Sequence, residues 1–258
     1  MDPTARYEEL IRAGAEPLDE LAFSVAAHAR RDLDIAAQLD RLDALAAVID
    51  GATAPELCRH LFVEQRFVGD RSTYYDPRNS FLDRVLDRRR GIPITLSVLA
   101  MEVGRRIGVP LVGIGMPGHF LIREVGPTPS YFDPFDGGRA MDAGECEARF
   151  HELAGPTAEF DERMLAPVTS VDVAGRMLAN LTRIYLQDGD RQNLVWVLRL
   201  RSMLPGSDPQ IRRQLAGVLA GLGRFWEAAD LYEGLITDQP SRAAEHRSTA
   251  ARLRAHAN

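Results

Sequence analysis

The 258 residues are 45% hydrophobic and 26% charged, with a formal net charge of -6. That is a globular balance with enough apolar residues for a sizeable core, and the negative charge argues against broad attraction to nucleic acid or an anionic membrane. Two cysteines, Cys58 and Cys146, with no CxxC spacing, exclude a disulfide framework. No apolar run approaches the roughly 20 residues a bilayer span needs. The start, MDPTARYEEL, lacks the apolar stretch of a signal peptide, so the cytoplasm is the expected location.

Residues 1 to about 90 read as helical. Asp19 to Arg30 places Leu21, Ala22, Val25 and Ala29 on one face, and Asp34 to Ile49 repeats the pattern through Ile35, Leu39, Leu42 and Leu45. Gly51 follows as a stop. Pro55 to Phe67 is a third amphipathic segment, with Leu57, Leu61 and Phe62 inward. The run GDRSTYYDPRNS then breaks the period and reads as a structured loop. Asn79 or Ser80 is expected to cap a helix through Leu82, Val85 and Leu86, which Arg88 to Gly91 ends. Pro93 opens the next helix, where a missing amide proton does no harm. Leu96, Leu99, Ala100 and Val103 form its buried face, and Gly108 closes it.

From Pro110 the period changes to that of strands. LVGIGM, HFLIRE and SYFDPF are short β-rich runs separated by Pro and Gly. His119, Leu121 and Arg123 share one face of the second run, and Tyr131, Asp133 and Phe135 share one face of the third. Adjacent strands would set His119 beside Asp133. A helix from about Gly144 to Leu153 follows. From Ser170 the chain is helical again with a weak repeat: Tyr185 and Gly189 lie 34 residues before Leu219 and Gly223. In the second copy Gly223, Phe225, Ala228, Tyr232 and Pro240 resemble the tetratricopeptide pattern, and the residues from Ser241 onward read as a polar capping helix.

A helix N-terminus followed by strands bearing His and then Asp has a chemical logic. The helix end activates a nucleophile, the histidine takes its proton, and the carboxylate fixes the imidazole tautomer. At these residues the chain resembles a known family. RRGIPITLS, PGHF and FDPFDGG, within roughly residues 60 to 140, look like the transglutaminase-like core of the bacterial SirB-type proteins. That resemblance implies a transglutaminase-like (papain-like) core with tetratricopeptide-like helices at the C-terminus. Active transglutaminase-like hydrolases carry Gly-x-Cys at the head of this helix. On this chain Gly91 takes the glycine, Pro93 the cysteine, His119 the histidine and Asp133 the aspartate. Two of three triad positions match and the nucleophile does not.

Plainer roles compete at every position. His119 can be a structural histidine bonded to Asp133, and Asp133 can cap the turn before Gly137. Thr95 and Ser97 lie near the helix start, where hydroxyls bond back to backbone. Cys146 and Cys58 read as small core hydrophobes, and Arg84, Arg88, Arg89 and Arg90 as a solvated face or an anion cradle. The acids and histidines match neither a calcium loop nor a zinc site, and no cofactor is expected. The expected fold is α+β, with a transglutaminase-like core at 1–168 and helical repeats at 169–258. The leading expectation is a non-catalytic protein that binds a peptide or protein segment in the degenerate cleft, with Thr95, Asn79, Arg90 and Tyr131 as ligand contacts. A peptidase or amidase using the His119–Asp133 pair, and a purely structural adaptor, are the alternatives.

Overall fold

Asp2 opens the first helix, its side chain accepting from the Thr4 amide while Pro3 takes the first helical position. This helix, α1 (Pro3–Arg12), has no counterpart in the apolar periodicity above, because only Tyr7, Leu10 and Ile11 are buried. The structure is a computed structural model, and it describes residues 2–49, 53–126 and 129–256. Gly51, the expected stop, lies outside the described residues. Helices α2 (Leu18–Ala29) and α3 (Ile35–Ala47) follow, the second capped by Asp34. The inward face of α3 is Gln38, Leu42 and Ala46, and Ile35, Leu39 and Leu45 are half-buried. The third expected segment is α4 (Ala54–Cys58), which widens into a π-helical stretch from Arg59 to Glu64.

The loop from residue 70 to 79 is ordered around one carboxylate. Asp70 accepts from the Thr73 amide, the Ser72 and Thr73 hydroxyls and the Asn79 amide side chain. Just before it, β1 (Val68–Gly69) pairs in parallel with β2 (Arg90–Gly91). Between them Asp76 caps a 3-10 turn over Pro77–Ser80, and α5 (Leu82–Arg88) starts after Phe81. Asn79 and Ser80 therefore do not cap α5. They are buried inside the preceding turn, whose own cap is Asp76.

Pro93 takes the first position of α6 (Pro93–Arg106), as its fixed φ and missing amide proton favour. Pro93 to Ala100 are buried on every side, so α6 is the central helix of the core. Gly108, at φ 75°, turns the chain out of it. The sheet is antiparallel in the order β3 (Leu111–Ile114), β4 (Leu121–Glu124), β5 (Tyr131–Asp133), β6 (Arg139–Met141). The fourth strand extends the three expected ones. Val112, Ile114, Leu121, Tyr131 and Met141 pack with Cys146 and Phe150 of α7 (Ala143–Ala154). Helix α6 packs on β3 and β4. Asp142 and Glu145 form the reciprocal cap of α7.

The C-terminal helices are α8 (Ser170–Gln187), α9 (Arg191–Ser202), α10 (Pro209–Gly221), α11 (Phe225–Asp238) and α12 (Ala243–His256). The chain divides into two compact units, Met1–Met177 and Leu178–Asn258, and the division falls inside α8. In the second unit α9 to α12 pack in sequence, each on the next. None of the helices among the described residues is long and apolar enough to cross a membrane.

Candidate functional site

His119 lies at the end of the turn formed by Pro117 and Gly118, one residue before the buried Phe120 that leads into β4. Gly118 sits at φ 76°, and the His119 amide donates to the Met116 carbonyl at 3.1 Å. The imidazole Nε2 is 2.8 Å from Asp133 Oδ2. An ionised carboxylate can only accept, so Nε2 carries a proton, and in the neutral imidazole Nδ1 presents a lone pair. Nδ1 has no hydrogen-bond partner among the described residues. The pair is nearly closed off, with His119 8% and Asp133 1% exposed.

Asp133 does two jobs with its two oxygens. While Oδ2 holds the imidazole, Oδ1 accepts from the amides of Phe135 at 3.0 Å and Asp136 at 3.2 Å. It therefore caps the 3-10 turn Pro134–Asp136 and orients His119 at once. That turn packs on α6.

Four further side chains complete the surroundings. Phe135 meets the His119 ring edge-on, with centroids 6.2 Å apart at 80°. Arg71 lies over the Phe135 ring at 4.9 Å and pairs with Asp136 at 2.9 Å. Arg149 of α7 reaches Asp136 at 3.0 Å and stands 3.8 Å from Asp133 Oδ2. Arg176 of α8 donates to the carbonyls of Gly115 at 2.5 Å, Met116 at 2.9 Å and His119 at 2.8 Å. Its guanidinium thus clamps the turn that carries the histidine. The motif FDPFDGG points to Phe135 and Asp136. Arg176 is 57 residues beyond His119, and no local pattern marks it.

Apart from Arg90, the remaining candidates are buried or bonded within the protein. Thr95 Oγ1 accepts from the Ile92 amide at 3.1 Å and lies 2.7 Å from the Asn79 carbonyl, with no exposed surface. Asn79 accepts from Arg88 and donates to the Thr73 carbonyl at 2.7 Å. Tyr131 is 5% exposed in the cluster under α7. Arg90 is exposed, at the edge of β2. Ser97 Oγ is buried without a partner among the described residues. Cys146 and Cys58 are buried, and burial pushes each thiol up to about 12. The arginine run is a solvated face tied into its surroundings: Arg84 pairs with Asp83 and Asp87, Arg88 with Asp70 and Asp76, and the exposed Arg89 donates to the Gln65 carbonyl. Among the described residues no group of His, Cys, Asp and Glu has the arrangement of a metal site.

The profile described as transglutaminase-like superfamily matches residues 15–179. The chain belongs to the transglutaminase-like superfamily. Relatives of this transglutaminase-like protein include a UPF0162 protein of Xylella fastidiosa, 43% identical over 132 residues, 49% of this chain and 47% of that one. A UPF0162 protein of Pseudomonas aeruginosa is 34% identical over 197 residues, covering 73% of this chain and 68% of that one. F-box only protein 21 of Homo sapiens is 38% identical over 96 residues, 34% of this chain and 15% of its own length. The chain spans about half the length of the Xylella relative it matches. No solved structure matches it. The match encloses Pro93, His119, Asp133 and Arg176, so the pair and its clamp all belong to the transglutaminase-like part.

Proposed function

We propose that this is a SirB-type, non-catalytic transglutaminase-like protein that binds a peptide or protein segment at the His119–Asp133 site. The observation that carries the reading is the combination at α6. Proline stands where the resemblance puts the nucleophilic cysteine, yet the histidine and carboxylate keep a 2.8 Å contact. Proline offers no nucleophilic atom and no amide proton for an oxyanion. An oriented imidazole with a free Nδ1, flanked by Phe135 and Arg71, retains the means to recognise a peptide group. The C-terminal helices, read as tetratricopeptide-like, supply a second protein-binding surface. Trp226 there is 52% exposed, with Arg254 over its ring at 5.7 Å.

The test is selection from a displayed random peptide library on the full chain, followed by titration of enriched peptides against wild type and His119→Ala. The reading predicts peptides whose affinity falls about tenfold or more in the variant. Selection of no peptide, or equal binding by both proteins, removes the site from consideration. The unpartnered Nδ1 favours one second reading, a peptidase or amidase in which His119 deprotonates water. Turnover of peptide or amide substrates that vanishes in His119→Ala would establish that reading instead.

A further inference from the structure

The other end of α6 borders a cavity of about 650 Å³, away from the His119–Asp133 pair. Leu18, Met101, Pro110 and Leu111 give it apolar walls, and Glu102 and Arg105 bring charge to it. Glu102 is a buried carboxyl, its side chain 6% exposed, and beside it lies Asp19 at 1%. Arg105 reaches Asp19 Oδ2 at 3.1 Å and Glu102 Oε2 at 2.8 Å. Arg106 reaches Asp19 at 2.7 Å, Glu102 Oε2 at 3.4 Å and Asp43 at 2.5 Å. Both arginines address Oε2 of Glu102, and a side-chain hydrogen bond joins the Glu102 carboxyl to Asp19.

The charges around Glu102 come from three helices and one turn. Asp19 belongs to α2, Asp43 to α3, Arg105 and Arg106 to α6, and Glu16 to the turn that lines the cavity before α2. Three carboxyls, Asp19, Asp43 and Glu102, thus meet two guanidiniums, and Glu16 lines the same cavity. The negative end of the α6 dipole adds to the excess, since α6 finishes at Arg106. Two buried acids that share a proton, at a helix C-terminus and beside an apolar-walled cavity, suit a cation with a short hydrocarbon body that can take that proton's place.

We propose that this cavity binds a small primary alkylamine, its ammonium on Glu102 and its chain along Leu18, Met101 and Leu111. Glu102 is pushed up to about 7, by burial first and by the Asp19 charge second, with Arg105 opposing. The ammonium displaces that proton on binding, so affinity rises with pH and a proton leaves.

The experiment is calorimetric titration of the full chain with n-hexylammonium, with n-hexanol and hexanoate as matched controls. It is run at pH 6 and pH 8 in buffers of low and high ionisation enthalpy. The expected result is hexylammonium binding at least about tenfold tighter than either control, tighter at pH 8 than at pH 6, with net proton release. Glu102→Gln lowers the affinity at least about tenfold and removes the proton release. Met101→Trp fills the chamber without touching the ion pairs and abolishes binding, which decides the matter if Glu102→Gln fails to fold. His119→Ala leaves binding unchanged. Equal or tighter binding of hexanol or hexanoate, hexylammonium binding that survives both variants, or no saturation at millimolar concentration would overturn the proposal.

Discussion

Asp133 is the residue on which the site depends, because one carboxylate satisfies a turn and a histidine together. Asp133→Ala strands the Phe135 and Asp136 amides and the buried imidazole. It is expected to cost about 2–4 kcal/mol in urea unfolding. Asp133→Asn keeps the acceptor for the two amides but turns an N–H toward His119. The fold should survive, and the ring should switch tautomer so that Nδ1 carries the proton, which nitrogen-15 shifts of the imidazole report directly. Glu102 gives a second prediction at this scale. Its folded value, about 7, lies above the ordinary 4.5. The folded state therefore holds the proton more tightly, and this group's contribution to stability is complete below pH 4.5 and lost as the pH rises through 7. Glu102→Gln should flatten that part of the stability profile. The His–Asp contact was readable from two neighbouring β-rich runs, although His119 itself sits in the turn before β4 and Phe135 in the 3-10 turn after β5, not in the strands the alternation assumed. The Glu102 network was not, since its acids lie in α2, α3 and α6, more than 80 residues apart at the extremes.

At the scale of elements, Pro93 at the head of α6 and Gly108 beyond its end were both plain in the sequence, because proline and glycine act through local backbone geometry. The two-residue strands β1 and β2 carry no periodicity, so nothing in the sequence announced them. They matter because Gly69 in β1 is where Phe135 lands. A Cβ at residue 69 would stand 2.5 Å from the Phe135 ring and from its carbonyl oxygen. The carbonyl belongs to the same turn that Asp133 caps, so the clash cannot be relieved by a side-chain rotation alone. Gly69→Ala is expected to cost about 1–3 kcal/mol by thermal or urea unfolding and to disturb the His119 ring signals as Phe135 moves. The expected cap at Asn79 or Ser80 failed for a related reason. Asp76 offered the earlier carboxylate, and the chain used residues 77–80 for a 3-10 turn before α5 began.

For the whole molecule, the unit Met1–Met177 includes the first half of α8, which begins after the boundary expected at 168. That half carries Arg176, whose three hydrogen bonds fix the Gly115 to His119 turn. A chain ending at residue 168 loses the clamp, and one ending at residue 188 keeps it. The shorter chain should show a broadened or shifted His119 imidazole resonance and faster amide exchange at residues 115–119. The longer one should match the intact protein there, and Arg176→Met in the intact chain should reproduce the shorter chain's signature. Charge-assisted hydrogen bonds of this kind are worth about 1.5–3 kcal/mol each, so the difference is large enough to read. If both truncations retain the native turn, Arg176 does not position the histidine.

The central claim is that the His119–Asp133 pair is two thirds of a catalytic triad, with proline in the nucleophile's place. Its most direct test is the rate of iodoacetamide alkylation of Pro93→Cys at pH 7, set against Pro93→Cys combined with His119→Ala. Cys58 and Cys146 are buried with thiols pushed up to about 12, and the wild-type chain under the same reagent measures their background. With a thiol at this helix N-terminus set against the imidazole, as the family resemblance implies, alkylation should run about tenfold or more faster than for the same thiol without the histidine. Equal rates in the two proteins would contradict the claim and leave His119 and Asp133 as a structural contact.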